Sequence, residues 1–122
     1  MDERDRRRLH DAIASGETAL RYVSESGSHW LDDSMVVDAV VKRVEWLGEC
    51  LTGTAEQAGV SSAVQAAHPE VPWRRVRGQR AVLVHDYGQL DRNLLRGILE
   101  DHLPKLLDQL RAMLAGGESC SS

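Results

Sequence analysis

The sequence has little cysteine, no apolar run of membrane-crossing length and no excess of positive charge. Each shortage removes a class of protein. The two cysteines, Cys50 and Cys120, lie far apart, and neither has a metal-ligand partner at short spacing. A structural disulfide is therefore not expected, and a reducing compartment fits. No apolar stretch approaches the ~18–20 residues of a bilayer crossing. The segment from Met1 to Arg8 is charged and leads into no apolar region, so no secretory signal is expected. A cytoplasmic protein without membrane attachment fits these features. The formal net charge of −4 excludes a globally basic nucleic-acid binder but leaves room for a local basic patch. Alternating strand patterns longer than a few positions are absent, as are internal repeats, a glycine-rich phosphate loop, a nucleophile elbow and a paired-carboxylate signature. His10, His29, His68 and His102 have no mutual metal-like spacing, so the expectation is no metal and no cofactor.

What is present is a single domain's worth of amphipathic helix. The 122 residues are 42% hydrophobic and 28% charged, as in a soluble globular protein. The domain is expected over residues 1–115, with a disordered tail over 116–122, where glycine and serine dominate. Leu9, Ile13, Leu20 and Val23 recur at helical spacing in a first segment from about Asp2 to Glu25, and Ser26-Gly27-Ser28 stops it. A second segment runs from about Leu31 or Asp32 to Gly59, with Asp32, Asp33 and Ser34 offering cap oxygens. Val37, Val40, Val41, Val44, Leu47 and Leu51 form its apolar stripe, and Gly48, Gly53 and Gly59 weaken its second half. A polar linker, Ser61 to Pro69, follows. The third helix is expected from Pro72, a residue suited to the first helical position, to about Asp86 or Tyr87, with Gly88 at its end. Asp91 caps a fourth helix to about Ala115, and Pro104 predicts a kink or brief break inside it. The fold class is all-α, an antiparallel four-helix bundle. Trp30 and Trp46 read as packing or interface anchors, and Trp73 as a core anchor near the cleft rather than a base-stacking platform.

The chemistry concentrates in Arg80-Ala81-Val82-Leu83-Val84-His85-Asp86-Tyr87. A histidine moves protons near neutral pH, and an arginine fits phosphate oxygens with a fork of donors. On one helix, Arg80 and His85 are separated by ~140° of rotation, whereas Arg80 and Tyr87 share a face within ~20°. That face also carries Trp73, Val76, Leu83 and Val84, so Arg80 sits on an apolar stripe and needs a partner, a cleft or a second subunit. A symmetric dimer would bring one subunit's arginine toward the other's histidine. Arg74, Arg75 and Arg77 precede the motif as a candidate phosphate-binding edge, with a solvated helix face as the plain alternative. Arg6-Arg7-Arg8 is balanced by Asp2, Glu3, Asp5 and Asp11, and reads as solvated. Packing alternatives stand beside the catalytic ones. His85 alone suits a core position, and Arg80 could pair with Asp86, Asp91 or Glu49.

The spacing Arg-x4-His-x-Tyr resembles the signature of HEPN-domain ribonuclease toxins, which pair with a minimal nucleotidyltransferase antitoxin. The likeness extends to Asp38 through Glu45 with Gly48-Glu49, to His68-Pro69-Glu70-Val71-Pro72-Trp73-Arg74 with Gly78-Gln79-Arg80, and to Leu103-Pro104. It implies an all-helical homodimer and metal-independent cleavage of RNA through the 2′-hydroxyl, with Arg80 and His85 catalytic. It also implies silencing by the nucleotidyltransferase through AMP transfer to Tyr87. Ala81 stands where family members often carry asparagine, and Leu94-Leu95 where a bulky aromatic is frequent. The competing reading is a non-catalytic helical partner that holds nucleotide or substrate for a nucleotidyltransferase, with the arginines on phosphate and His85 packed. A purely structural dimer-forming partner is a third.

Overall fold

The computed structural model describes residues 1–78 and 91–120. Among them every regular element is helical. Helix α1 spans Glu3–Ser26 and α2 spans Ser34–Thr52. A single 3-10 turn, Trp30–Asp32, joins the two. Helix α3 is Ser62–Ala67, α4 covers residues 73–78, and α5 is Arg92–Gly97. A π turn, Ile98–His102, carries α5 directly into α6, Leu103–Cys120. The expected all-α class holds, with a short helix added inside the linker that begins at Ser61. Helix α6 also continues past Ala115 into the stretch expected to be disordered. No helix among the described residues is long and apolar enough to cross a membrane.

The helix starts follow from side-chain capping. Asp2 accepts from the Asp5 N–H at 2.8 Å, Asp33 from those of Met35 and Val36, and Asp91 from that of Leu94 at 3.0 Å. Each satisfies an orphan donor of a first turn. Helix α1 stops at Gly27, whose φ of 94° lies in the left-handed region.

Helix α2 ends seven residues earlier than the expected Gly59. Gly53, at φ 84°, turns the chain, and its N–H donates to the Glu49 carbonyl at 2.8 Å. The chain then folds back so that the Val60 N–H reaches the Leu51 carbonyl at 3.1 Å. A Cβ on Gly59 would lie 2.5 Å from the Leu51 oxygen and 2.5 Å from the Gly53 nitrogen, so two backbones touch there. Helical periodicity could not reveal this reversal, because it is set by glycine conformation and close backbone approach.

The returning loop is tied to α1. Arg4 donates to the Gly59 carbonyl at 2.9 Å and also to that of Ala58, while Arg8 donates to the carbonyls of Glu49 and Ala58 at 3.1 and 3.0 Å. The solvated reading of Arg6-Arg7-Arg8 is thus corrected at Arg8, which is only partly exposed and satisfies loop carbonyls. Asp5 is 2% exposed and accepts from both the N–H and the hydroxyl of Ser61, at 2.9 and 2.8 Å. The Ser61 oxygen in turn caps α3.

The core forms where α1, α2 and α6 meet, around Leu9, Val40, Leu51, Leu107 and Leu110, all at most 1% exposed. Gly16 allows the approach. A Cβ there would meet Leu107 Cδ2 at 2.8 Å and Leu47 Cδ1 at 3.0 Å. Trp30 is buried, whereas Trp46 is 39% exposed on α2.

Pro104 shapes the last helix much as its chemistry demands. It has no N–H for the Glu100 carbonyl, and its ring crowds the preceding turn. The helix responds with the π turn immediately before it, in which the Leu103 N–H bonds to the Ile98 carbonyl five residues back.

Cys50 is 0% exposed, and burial pushes its thiol up to about 11, with Asp11 and Glu49 adding to the rise and Arg8 opposing it. The folded value lies above the ordinary one of 9.0, so the stabilisation from a neutral thiol is complete below pH 9 and lost as pH climbs through about 11. The thiolate is the reactive form. At pH 8 a thiol reagent should therefore leave the Cys50 peptide unlabelled in the native protein and label it once denaturant is added, as read by peptide mass spectrometry.

Candidate functional site

Helix α4 presents the arginine cluster, and its anchoring is local. Val71 is 2% exposed, and the Trp73 indole N–H donates to the His68 carbonyl at 3.0 Å. The Val76 N–H donates to the Pro72 carbonyl at 3.0 Å, so Pro72 sits one position before the first helical residue rather than at it. Trp73 and Val76, three apart, turn inward. Arg74, Arg75 and Arg77 are all exposed. Along α4, Arg74 and Arg77 lie about 60° apart, whereas Arg75 sits about 160° around the helix from Arg77, so the three do not share one face.

Arg75 has a partner that sequence spacing does not disclose. Its Nη1 donates to His102 Nδ1 at 3.0 Å, across from α4 to the π turn. A guanidinium can only donate, so Nδ1 accepts and the neutral ring carries its proton on Nε2. His102 is exposed, as a position on the helix surface. The backbone is tied at the same place: the Gln109 amide donates to the Glu70 carbonyl at 2.8 Å, joining α6 to the strand of loop before α4. His68 Nδ1 lies 3.1 Å from Glu70 Oε1.

Beneath these groups lies a pocket of about 110 Å³ between α2, α4 and the π turn with α6. Val44, Leu47, Val76, Ile98, Leu103 and Leu106 wall it, and Gly48 contributes bare backbone. Arg75, His102, Lys105, Glu70 and Gln109 add polar side chains to its lining. No group of three or more His, Cys, Asp or Glu side chains able to hold a metal occurs among the described residues.

Arg80, His85 and Tyr87 lie outside the described residues, together with Ala81, Asp86 and Gly88. Of the site residues expected from sequence, the described residues include Arg74, Arg75 and Arg77, all exposed on α4. Reading the sequence alone missed the pocket, His102 and Lys105. Their only linear signal is a histidine and a lysine three apart beside Pro104. The juxtaposition with Arg75 is made by tertiary packing.

Comparison with known proteins specifies the family of this all-helical domain. The family model described as Ribonuclease HepT-like matches residues 13–113, so the chain belongs to the HepT-like ribonuclease family. That span includes α4 and the whole Arg-x4-His-x-Tyr motif. The chain is also 25% identical over 99 residues to a Methanocaldococcus jannaschii protein named "Putative RNase MJ1380", a match covering 80% of this chain and 85% of that one. No solved structure matches the chain.

Proposed function

We propose that the protein is the toxin of a toxin–antitoxin pair, a metal-independent endoribonuclease that acts as a cytoplasmic homodimer. The observation that carries this reading is the intact Arg80-x4-His85-x-Tyr87 motif inside the span matched by a ribonuclease family. In the reaction, the ribose 2′-oxygen attacks the adjacent phosphorus and the bond from phosphorus to the 5′-oxygen breaks. The 2′-hydroxyl proton passes to a base, and a proton is given to the leaving 5′-oxygen. His85, or His85 together with its counterpart in the dimer, does this proton work. Arg80 stabilises the charge growing on the phosphate oxygens. Arg74, Arg75 and Arg77 hold flanking phosphates. The products are a 2′,3′-cyclic phosphate and a 5′-hydroxyl.

Control comes from a nucleotidyltransferase antitoxin. The Tyr87 phenolic oxygen attacks the α-phosphorus of ATP, pyrophosphate leaves, and an AMP group stays on the tyrosine. The added negative charge and adenosine bulk, two residues from His85, block RNA both electrostatically and sterically. Co-expression with the neighbouring nucleotidyltransferase should yield protein whose Tyr87 peptide carries AMP by mass spectrometry. Tyr87→Phe should remain toxic beside the antitoxin. Unmodified Tyr87 in a fully neutralised complex would contradict the modification.

A further inference from the structure

We propose that the pocket between α2, α4 and the π turn is a subsite for one nucleotide of single-stranded RNA, its base in the apolar floor and its phosphate on Arg75, His102 and Lys105. This rests on the ribonuclease reading of the family but not on the roles given to Arg80 and His85. Size supports it first. A pocket of about 110 Å³ is suited to one six-membered ring, given that a closed cavity of ~150 Å³ accepts benzene. An open mouth lets the attached ribose and phosphate stay in water. The walls are aliphatic, which favours a planar ring and leaves sequence readout weak.

Charge supports it second. The chain carries a formal net charge of −4, yet two cationic side chains, Arg75 and Lys105, line this one pocket beside His102. Among the described residues Glu70 is the one carboxylate that lines it, and its Oε1 is engaged by His68 at 3.1 Å. Arg75 uses one of its five N–H donors on His102, and among the described residues the others have no further hydrogen-bond partner, which leaves them for a phosphate. The neutral His102 ring adds its own Nε2–H donor.

The helix itself supports it third. The π turn begins at Ile98 and ends at His102, both of which line the pocket. Such interruptions of an α-helix occur frequently at functional sites. A strand fits better than a free mononucleotide, because Arg74 and Arg77 extend the cationic surface along α4 beyond what a single phosphate can use.

The test is binding, measured without cleavage. A short, labelled 2′-methoxy uridine strand, which has no free 2′-hydroxyl to attack, is titrated with the full-length protein at several salt concentrations and followed by fluorescence anisotropy. Arg75→Ala and Lys105→Glu should each weaken binding about tenfold and reduce the salt slope by about one. Val44→Phe fills the pocket without changing charge and should weaken binding by a similar factor. Thermal melting of each variant reports whether it is folded, and Lys105→Glu, at an exposed position, keeps the test valid if Val44→Phe is not. Binding by all the folded variants within twofold of wild type would overturn the subsite. So would uridine monophosphate binding as tightly as the strand, which would make it a site for free nucleotide. The unmutated pocket in a His85→Ala background should still bind the strand, so failure of the catalytic assignment and failure of this one are read separately.

Discussion

Replacing His85 with alanine should lower the rate of RNA cleavage by about 10²–10⁴-fold, the range that positioned proton transfer contributes. No other side chain in the motif can do this work near neutral pH. Arg80 stays protonated, and Tyr87 and Asp86 titrate far from neutrality in their ordinary states. Arg80→Ala should cost about 10²–10³-fold, because removing one preorganised donor to developing charge has effects of that size. The double variant should be little worse than the poorer single one, since groups that act on one transition state are not additive. In cells, each variant should relieve growth inhibition while keeping wild-type helicity by circular dichroism. If both variants stay as toxic as wild type, the packing reading of His85 and the ion-pair reading of Arg80 gain the field.

The largest effect on stability is expected away from the motif, at Gly59→Val. The new Cβ would sit 2.5 Å from the Leu51 oxygen and the Gly53 nitrogen, and 2.7 Å from the Leu51 carbonyl carbon. All three are backbone atoms and cannot rotate aside, so the reversal after α2 has to open. Opening it would also pull the Ala58 and Gly59 carbonyls from Arg4 and Arg8. A loss of about 3 kcal/mol or more is expected, from overpacking combined with lost hydrogen bonds, which corresponds to a fall in Tm of about 10–15 °C. Gly97→Ala is the matched contrast. It lies in α5 with nothing within 4 Å of its would-be Cβ, so it should raise stability by about 0.5–1 kcal/mol. Thermal melting of the two variants beside wild type checks both signs.

The sequence was informative where the chemistry is local. Asp33 and Asp91 cap the helices they precede, Gly27 stops α1, and the apolar stripe of α2 is buried at Val37, Val40, Val44, Leu47 and Leu51. Pro104 signalled a disturbance, and the π turn is its form. What escaped the sequence depends on contacts between distant residues. The reversal at Gly53 needs Gly59 beside it. Arg8 read as one of a solvated run because its acceptors, the Glu49 and Ala58 carbonyls, are remote in the chain. The partner of His102 was not legible because Arg75 reaches it only through the packing of α4 on the last helix. The exposure of Arg74, Arg75 and Arg77 was legible because charged side chains stay in water without any tertiary information. The motif from Arg80 to Tyr87 was legible as chemistry and as family likeness, and the match over residues 13–113 sustains the family.

The most direct measurement is cleavage in the presence of excess chelator, using an end-labelled RNA and the same strand with a single 2′-deoxynucleoside at the cut position. An arginine–histidine nuclease that uses the 2′-hydroxyl should cut the first strand, leave a 2′,3′-cyclic phosphate, and spare the second at that position. Activity that disappears with chelator, or equal cutting of the 2′-deoxy linkage, would contradict it.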